Sequence, residues 1–208
     1  MMTKKNLCYF LLYIFIFFLS SETITFSADF MSGSQKESNT KTLLSSNGYV
    51  KTEEMEIRAD EIVLSGKDYN LIEAKGNVKG KHQTEEFSFS CQSLVYDREK
   101  KIAILEGSAT MDDEKNEVVA NAEYIHYNEE TQIATMQIKV SLKQKESVCT
   151  AAFALYRKAQ QLLELRGSPQ ITRNNDTFRA QVIQFDLNTE EITLDGRVRG
   201  TITDTKNE

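Results

Sequence analysis

The 208-residue sequence lacks tryptophan, has a single proline, Pro169, and has only two histidines, His82 and His126. Catalytic sites are normally recognised from a nucleophile near a base, or from clustered metal ligands. Neither pattern is present, and the nucleophile-elbow, zinc-protease, P-loop and EF-hand spacings are absent as well. The acidic run at residues 112–114 is typical of a solvated loop. We therefore expect a protein that is not an enzyme, with no catalytic residues, no metal and no cofactor.

A surplus of basic residues is also missing. The chain has 25 Lys and Arg against 31 Asp and Glu, which gives a formal charge of −6. Proteins that bind nucleic acid neutralise phosphates with clustered Lys and Arg. The composition therefore argues against a nucleic-acid partner.

Long apolar runs are limited to one, Leu7–Leu19, which has 13 residues. A membrane-spanning helix needs about 20 apolar residues. Lys4 and Lys5 precede the run and small polar residues follow it, which predicts a signal peptide over residues 1–28. Ala28 is the expected cleavage site and Ser21 is a second candidate. An uncleaved anchor is the alternative, and both interpretations export the remainder of the chain.

Cysteine is scarce, with Cys8 in the apolar run and Cys91 and Cys149 beyond it. Export permits a disulfide between the last two. Buried cysteines within strands are the other interpretation. The sequence contains no CxxC spacing, which is the pattern typical of a redox or zinc motif.

The remainder of the chain repeats itself with a period of about 30 residues. Residues 29–50 are rich in Ser, Asn, Lys and Thr, which predicts a flexible lead-in with a short strand near Leu43. Small residues then recur at steps of 31, 30, 30 and 30, at Ala59, Ser90, Ala120, Thr150 and Ala180. Glycine follows 16 or 17 residues later in four of the five units, at Gly76, Gly107, Gly167 and Gly196, whereas the third unit has Gln137. We expect the turn of the third unit to be wider or shifted.

Each unit has the same internal pattern. Apolar residues alternate with polar ones, which is typical of a strand with one buried face. The parity then flips by one residue, which predicts a bulge or corner. A polar turn and a further strand follow. Residues 151–165 also fit a short helix by composition, but their register favours strands. The period predicts an all-β domain over residues 51–202 with a tail at 203–208, either an elongated β-jellyroll or a loosely wound β-solenoid.

The segments Ile57–Val78 and Phe178–Gly200 resemble the OstA/LptA-type domain of lipopolysaccharide transport. The resemblance covers roughly residues 55–202. It implies a twisted, antiparallel β-jellyroll built from five repeats and open at both ends. It also implies a periplasmic protein that carries lipopolysaccharide between an inner-membrane export complex and an outer-membrane translocon. A membrane-anchored LptC-like component is one alternative, and a structural β-solenoid of the envelope without lipid is another.

The resemblance further implies an apolar groove for acyl chains. Inward apolar positions of the repeats are the predicted lipid-binding residues: Ile62, Leu64, Phe87, Phe89, Leu94, Tyr96, Ile104, Ile125, Tyr127, Phe153, Leu155, Phe178, Ile183 and Phe185. The same residues could instead fill each other's space as an ordinary core.

An open jellyroll leaves unpaired edges that can pair with another copy or with LptC-like and LptD-like jellyroll domains. We expect these edges at residues 56–64 and 193–202, and we expect self-association. The basic groups Lys75, Lys79 and Lys81, and Arg197 and Arg199, either contact lipid phosphates or form the solvated side of a strand.

Overall fold

The computed structural model describes residues 23–36, 39–84 and 86–203. Most of the predicted signal peptide and nearly all of the predicted tail lie outside the described residues. One antiparallel sheet contains every strand within these ranges. No helix of the described ranges has the length and apolar content needed to cross a membrane.

In the described part of the chain sixteen strands make up the sheet, and most pair with their neighbours in sequence. The strands are β1 Thr25–Ser27, β2 Phe30–Lys36, β3 Asn39–Lys51, β4 Met55–Ser65, β5 Leu71–His82, β6 Phe87–Asp97, β7 Ile102–Asp113, β8 Val118–Asn128, β9 Ile133–Gln144, β10 Ser147–Arg157, β11 Leu162–Arg166, β12 Gln170–Arg173, β13 Asp176–Arg179, β14 Val182–Asp186, β15 Ile192–Asp195 and β16 Arg199–Thr201. Three short 3₁₀ turns lie at Lys67–Tyr69, Glu114–Asn116 and Lys158–Gln160.

The sheet extends into residues 29–50, where the composition predicted a flexible lead-in. β3 has 13 residues and pairs with β4 from Lys41 to Lys51. This pairing buries Leu44 and Val50 completely. Tertiary burial of two apolar side chains thus decides the structure of a segment whose local composition favours a loop.

The first three repeats each contribute two long strands, and both are bulged near the middle. In β5 the bulge is formed by Gly76 and Asn77, whose φ angles are 74° and 48°. Two successive left-handed residues are readily accommodated when the first is glycine. The third unit has the same bulge one residue later, at Ile138 and Lys139, with φ angles of 65° and 54°. Its turn is therefore shifted, as the missing glycine predicted, but it is not wider.

The bulges divide each long strand into two halves, and the halves form two arms that face each other. The first arm ends at the first turn row, which contains residues 52–54, 83–84, 86, 114–117, 145–146 and 174–175. The second arm ends at the second turn row, at 66–70, 98–101, 129–132, 158–161 and 187–191. Buried residues from both arms form one continuous apolar cluster. The core therefore lies between the arms.

At the C-terminal end the two arms separate into different strands. β11, β14 and β15 continue the second arm, whereas β12, β13 and β16 continue the first. Both ends of the sheet carry exposed apolar residues, with Phe30 and Met31 at one end and Val198 and Ile202 at the other.

Candidate functional site: an apolar interior closed by a polar seam

The space between the arms is lined by apolar side chains from every repeat. Ten of the fourteen predicted groove residues are buried there: Ile62, Leu64, Phe87, Phe89, Leu94, Tyr96, Ile125, Tyr127, Ile183 and Phe185. Phe178 is partly buried and packs against the same cluster. Phe87 contacts Tyr127 edge to face with ring centroids 5.0 Å apart. These side chains pack on one another, so the interior is closed to solvent at these positions.

Three predicted residues lie on the opposite face of the sheet. In β7 the buried positions are Ala103 and Leu105, so Ile104 points outward. In β10 the buried positions are Ala154 and Tyr156, so Phe153 and Leu155 point outward as well. Ile104, Phe153 and Leu155 therefore do not line the interior, and Ala154 and Tyr156 take the places assigned to Phe153 and Leu155.

Polar side chains close the interior where the two turn rows meet. The carboxylate of Glu54 pairs with Lys101, and His82 Nε2 lies 3.3 Å from Glu129 Oε1. Asp113 Oδ2 lies 3.8 Å from Lys158 Nζ. In the next repeat Gln144 Nε2 donates to the carbonyl oxygen of Leu187 at 3.1 Å. We call these four contacts, Glu54–Lys101, His82–Glu129, Asp113–Lys158 and Gln144–Leu187, the polar seam.

Every seam contact involves at least one side chain, and no backbone ladder forms it. Within each turn row, successive turns are joined by backbone hydrogen bonds such as Gln83 N to Glu54 O and Glu129 N to Lys101 O. In the described ranges no backbone hydrogen bond outside the strands joins one row to the other. A polar cleft of about 300 Å³ lies between the rows, lined by residues of both, including Thr84, Asn116 and Lys158.

Two buried tyrosines connect the seam to the apolar interior. Tyr96 Oη donates to Glu54 Oε2 at 3.0 Å and also lies 3.4 Å from Glu129 Oε2. Tyr156 Oη donates to Asp113 Oδ2 at 3.3 Å. Burial raises the pKa of both phenols strongly, and the adjacent carboxylates raise it further. These hydroxyls therefore remain neutral donors that satisfy buried carboxylates.

Glu54 is ionised at neutral pH although it lies partly inside. Burial alone would raise the pKa of its carboxyl group. The hydrogen bonds from Lys101 and Tyr96 outweigh that effect, so the pKa is lowered.

The sequence did not reveal the seam. Asp113 belongs to the acidic run interpreted as a solvated loop, yet its side chain is 1% exposed. His82 is also buried, at 2% exposed. The available signal was the spacing of His82, Asp113 and Gln144, which are 31 residues apart at the ends of β5, β7 and β9.

The two cysteines beyond the N-terminal apolar run do not form a disulfide bond. Cys91 and Cys149 are free and buried, so the interpretation of buried strand cysteines is the one the structure supports. Burial raises the pKa of each thiol to about 12.

Comparison with known proteins places this architecture in a family. A family model described as LptA/(LptD N-terminal domain) LPS transport protein matches residues 27–133 and again 127–191. A solved structure of LptH from Pseudomonas aeruginosa, the LptA homologous periplasmic component of the lipopolysaccharide transport device, has a TM-score of 0.54. Its sequence identity is 11%, and the match covers 58% of this chain and 96% of LptH. No curated protein matches the chain.

The structural match confirms the all-β fold predicted from the repeats and the jellyroll implied by the family resemblance. The two successive matches of the family model together span most of the sheet. The chain belongs to the LptA/LptD N-terminal domain family of lipopolysaccharide transport proteins.

Proposed function

We propose that this protein carries lipopolysaccharide, or a related glycolipid, across the periplasm with the acyl chains held between the two arms. The observation that supports this most is the continuous apolar interior, to which every repeat contributes side chains. Transfer of one methylene group from water into such an interior contributes about 0.8 kcal/mol. A few acyl chains could therefore be bound firmly without polar contacts.

Acyl chains enter, in this proposal, by separation of the arms at the polar seam. The inward side chains fill the interior when it is closed, so space for lipid requires the arms to move apart. Separation at the seam breaks side-chain contacts and leaves the strand ladders of each arm intact. A flexible corner is supplied by the bulges, which interrupt the ladders along the line where the arms join.

A photo-crosslinking residue tests this proposal. Phe89 points into the interior, whereas Ile104 lies on the outer face of the neighbouring strand. A crosslinker at position 89 should form an adduct with lipopolysaccharide in cells that make it, and the same group at position 104 should not. An absence of adducts at Phe89 and other inward positions would contradict the proposal.

End-to-end association remains part of the proposal, with one corrected edge. β4 pairs with β3 on one side and β5 on the other, so residues 56–64 are not an edge. The N-terminal edge is formed by β1 and β2, and the C-terminal edge by β15 and β16. Self-pairing, or pairing with LptC-like and LptD-like jellyroll domains, would cover the exposed apolar residues at these edges.

Sedimentation velocity tests this association. Val198→Lys with Ile202→Lys should shift the protein toward monomer, because both side chains are exposed at the C-terminal edge. Val95→Lys is the control, since Val95 is exposed on a central strand. Equal effects of the edge pair and the control would contradict edge pairing.

A lipid-free envelope scaffold is the second candidate function, favoured by the closed packing of the interior. Mass spectrometry of natively extracted protein separates the two functions. Bound glycolipid supports carriage, and its absence from freshly extracted protein supports a scaffold.

Export by the N-terminal segment is also proposed, with a refined cleavage site. β1 pairs with β3, and Phe26 lies opposite Val50. Cleavage after Ala28 would remove β1, whereas cleavage after Ser21 would retain it. We expect the mature protein to begin at residue 22, which N-terminal sequencing can check. If the segment is instead retained as an LptC-like membrane anchor, sequencing should find the uncleaved N-terminal segment.

A further inference from the structure

The outer face of the first arm carries a continuous row of residues that share one property: none has a carboxylate. The register of neighbouring strands places each member directly beside the next. We call it the outer row: Ser27, Tyr49, Arg58, Lys79, Ser90, Thr110, Asn121, Ser141, Thr150, Gln170, Arg179 and Arg199. All twelve side chains are exposed or partly exposed.

Two pairs of like charges stand in the outer row, one near each end. Arg58 lies directly opposite Lys79, and Arg179 lies directly opposite Arg199. Like charges at such cross-strand positions destabilise a sheet. Their recurrence in one row of a chain with a formal charge of −6 indicates that the row serves a ligand rather than the stability of the sheet.

Local acidic groups neutralise these pairs only in part. Glu56 contacts Arg58 at 3.6 Å, and Arg58 also lies over the ring of Tyr49 at 4.6 Å. Arg179 donates to the amide oxygen of Gln170. Within the part of the chain that the structure describes, neither Lys79 nor Arg199 forms an ion pair.

The centre of the row is neutral and rich in hydrogen-bonding groups. Ser90, Thr110, Asn121, Ser141 and Thr150 present hydroxyl and amide groups on five successive strands. Thr110 Oγ1 donates to Asn121 Oδ1 at 2.9 Å. With strands about 4.8 Å apart, the centre separates the two cationic pairs by roughly 30–35 Å. A ligand that reaches both pairs is therefore a chain rather than a small ion.

The outer face of the second arm has a different character. Its equivalent cross-strand row contains five apolar residues and two carboxylates together with four other polar residues: Leu43, Val63, Glu73, Val95, Ile104, His126, Thr135, Leu155, Glu164, Gln184 and Thr193. This row contains no Lys or Arg, so the cationic pairs distinguish the outer row of the first arm from it.

We propose that the outer row binds an anionic carbohydrate chain that lies across the strands. Phosphate or carboxylate groups would neutralise the arginine and lysine pairs through charge-assisted hydrogen bonds. Sugar hydroxyls would exchange hydrogen bonds with the Ser, Thr and Asn side chains of the centre. Tyr49 is the only aromatic residue in the row, so the row lacks the stacking platforms of a single-strand nucleic-acid site. The inference extends the proposed function and rests on it for the cargo, because a glycolipid held by its acyl chains has a polar glycan outside.

Fluorescence anisotropy with labelled dextran sulfate, neutral dextran and inorganic polyphosphate tests the inference. The double variant Lys79→Ser/Arg199→Ser should weaken dextran sulfate binding at least about tenfold, since each end loses a charged donor. The control Lys67→Ser/Lys100→Ser removes the same charge from exposed turns of the second arm and should have little effect. An equal loss in both double variants would overturn the site, because it would mean that only the overall charge matters.

A second double variant separates carbohydrate from other polyanions. Thr110→Val/Thr150→Val keeps the shape and strand propensity and removes two hydroxyls. It should weaken dextran sulfate binding by about threefold to tenfold, the effect of one or two hydrogen bonds, and leave polyphosphate binding unchanged. Unchanged dextran sulfate binding would overturn the carbohydrate assignment in favour of a charge-only surface for an anionic membrane or an acidic protein. Lipid crosslinking at Phe89 should persist in every variant. Absence of crosslinking in the parent would reject acyl carriage alone, whereas absence of dextran sulfate binding by the parent would reject this inference alone.

Discussion

His82 Nε2 lies 3.3 Å from Glu129 Oε1, although the two residues are 47 positions apart and their side chains are only 3% and 8% exposed. His82 is the last residue of β5 and adjoins the first turn row. Glu129 follows β8 and is the first residue of the turn at 129–132 in the second turn row. The contact therefore joins the tips of the two arms. It is one member of the polar seam, whose contacts decide how readily the interior opens.

Disruption of the His82–Glu129 contact should destabilise the protein. Loss of one partner leaves the other buried polar group unsatisfied, which typically costs about 1–3 kcal/mol. His82→Leu and Glu129→Met should each lower the free energy of unfolding in urea, and the double variant should lose less than the two single effects combined. Lys100→Met, which removes an exposed ion pair with Asp97, should leave the urea midpoint unchanged. Strict additivity of the two seam variants would contradict direct coupling across the arms.

Replacement of both partners of a seam contact by apolar groups should keep or raise the stability of the protein and slow the loading of lipid. Asp113→Leu with Lys158→Met exchanges a buried ionic contact for apolar packing, and Tyr156→Phe is added because Tyr156 Oη would otherwise lose its acceptor on Asp113. Such an exchange is often neutral or stabilising by about 1–4 kcal/mol. A seam held by apolar packing should open less readily, so lipid crosslinking at Phe89 should develop more slowly. Equal crosslinking rates in the variant and the parent would show that lipid does not enter through the seam.

Acid should weaken the seam through Glu54. Its pKa in the folded protein lies below the ordinary value of 4.5, after the effect of burial is outweighed by Lys101 and Tyr96. A carboxyl group whose folded pKa is depressed stabilises the fold above its unfolded pKa, and that contribution is lost as pH falls through the folded pKa. Thermal melts between pH 7 and pH 3 should show a smaller loss of Tm for Glu54→Gln than for the parent. A parallel pH dependence of the two proteins would contradict this role of Glu54.

The thiols of Cys91 and Cys149 should be inert in the folded protein. Both pKa values are raised by burial to about 12, so the reactive thiolate is nearly absent at pH 8. Iodoacetamide should alkylate both residues in urea and neither under native conditions. Native alkylation of either residue at a rate comparable to that of a free thiol would contradict the buried placement.

Ile138 occupies a backbone conformation that suits glycine. Its φ angle is 65°, the bulge position is glycine in the neighbouring repeats, and the side chain is 57% exposed. A β-branched residue in the left-handed region costs about 1–2 kcal/mol. Ile138→Gly should therefore raise stability by about 1 kcal/mol, offset in part by the entropy of the unfolded chain. Gly107→Ile is the matched reversal and should destabilise, because its φ angle is 78° and a Cβ there would lie 2.8 Å from Gln92.

Sequence periodicity was sufficient for the repeats and the bulges. The parity flip near Asp60 predicted a bulge, and the register of β4 and β5 shifts between Arg58 and Glu61. The parity flip did not predict the inward face of a strand where all consecutive residues are apolar. Residues 102–105 read Ile-Ala-Ile-Leu and residues 151–155 read Ala-Ala-Phe-Ala-Leu. Because both faces of these strands are apolar, the local pattern does not indicate which face is buried. The inward face there is set by the pairing of neighbouring strands, which a local pattern does not contain.

The seam was inaccessible to sequence reasoning for a different reason. The burial of Asp113 is compensated by Tyr156 and Lys158, which lie 43 and 45 positions further along the chain. A polar residue at a strand end is normally solvated. Only the meeting of two turn rows in the folded chain converts these positions into a buried contact. The outer row is likewise a property of strand register, since its members are scattered over the whole sequence.

The most direct test of lipid carriage is a crosslinking scan along β6. Burial in this strand alternates, with a skip of one residue at the bulge near Gln92. Crosslinkers at Phe89, Cys91, Leu94 and Tyr96 should capture lipopolysaccharide, whereas those at Ser88, Ser90 and Val95 should not. Adducts that follow this period of two, with its single skip, would identify the space between the arms as the lipid path. Absence of adducts at all four inward positions, or adducts with no alternation, would contradict carriage in the apolar interior.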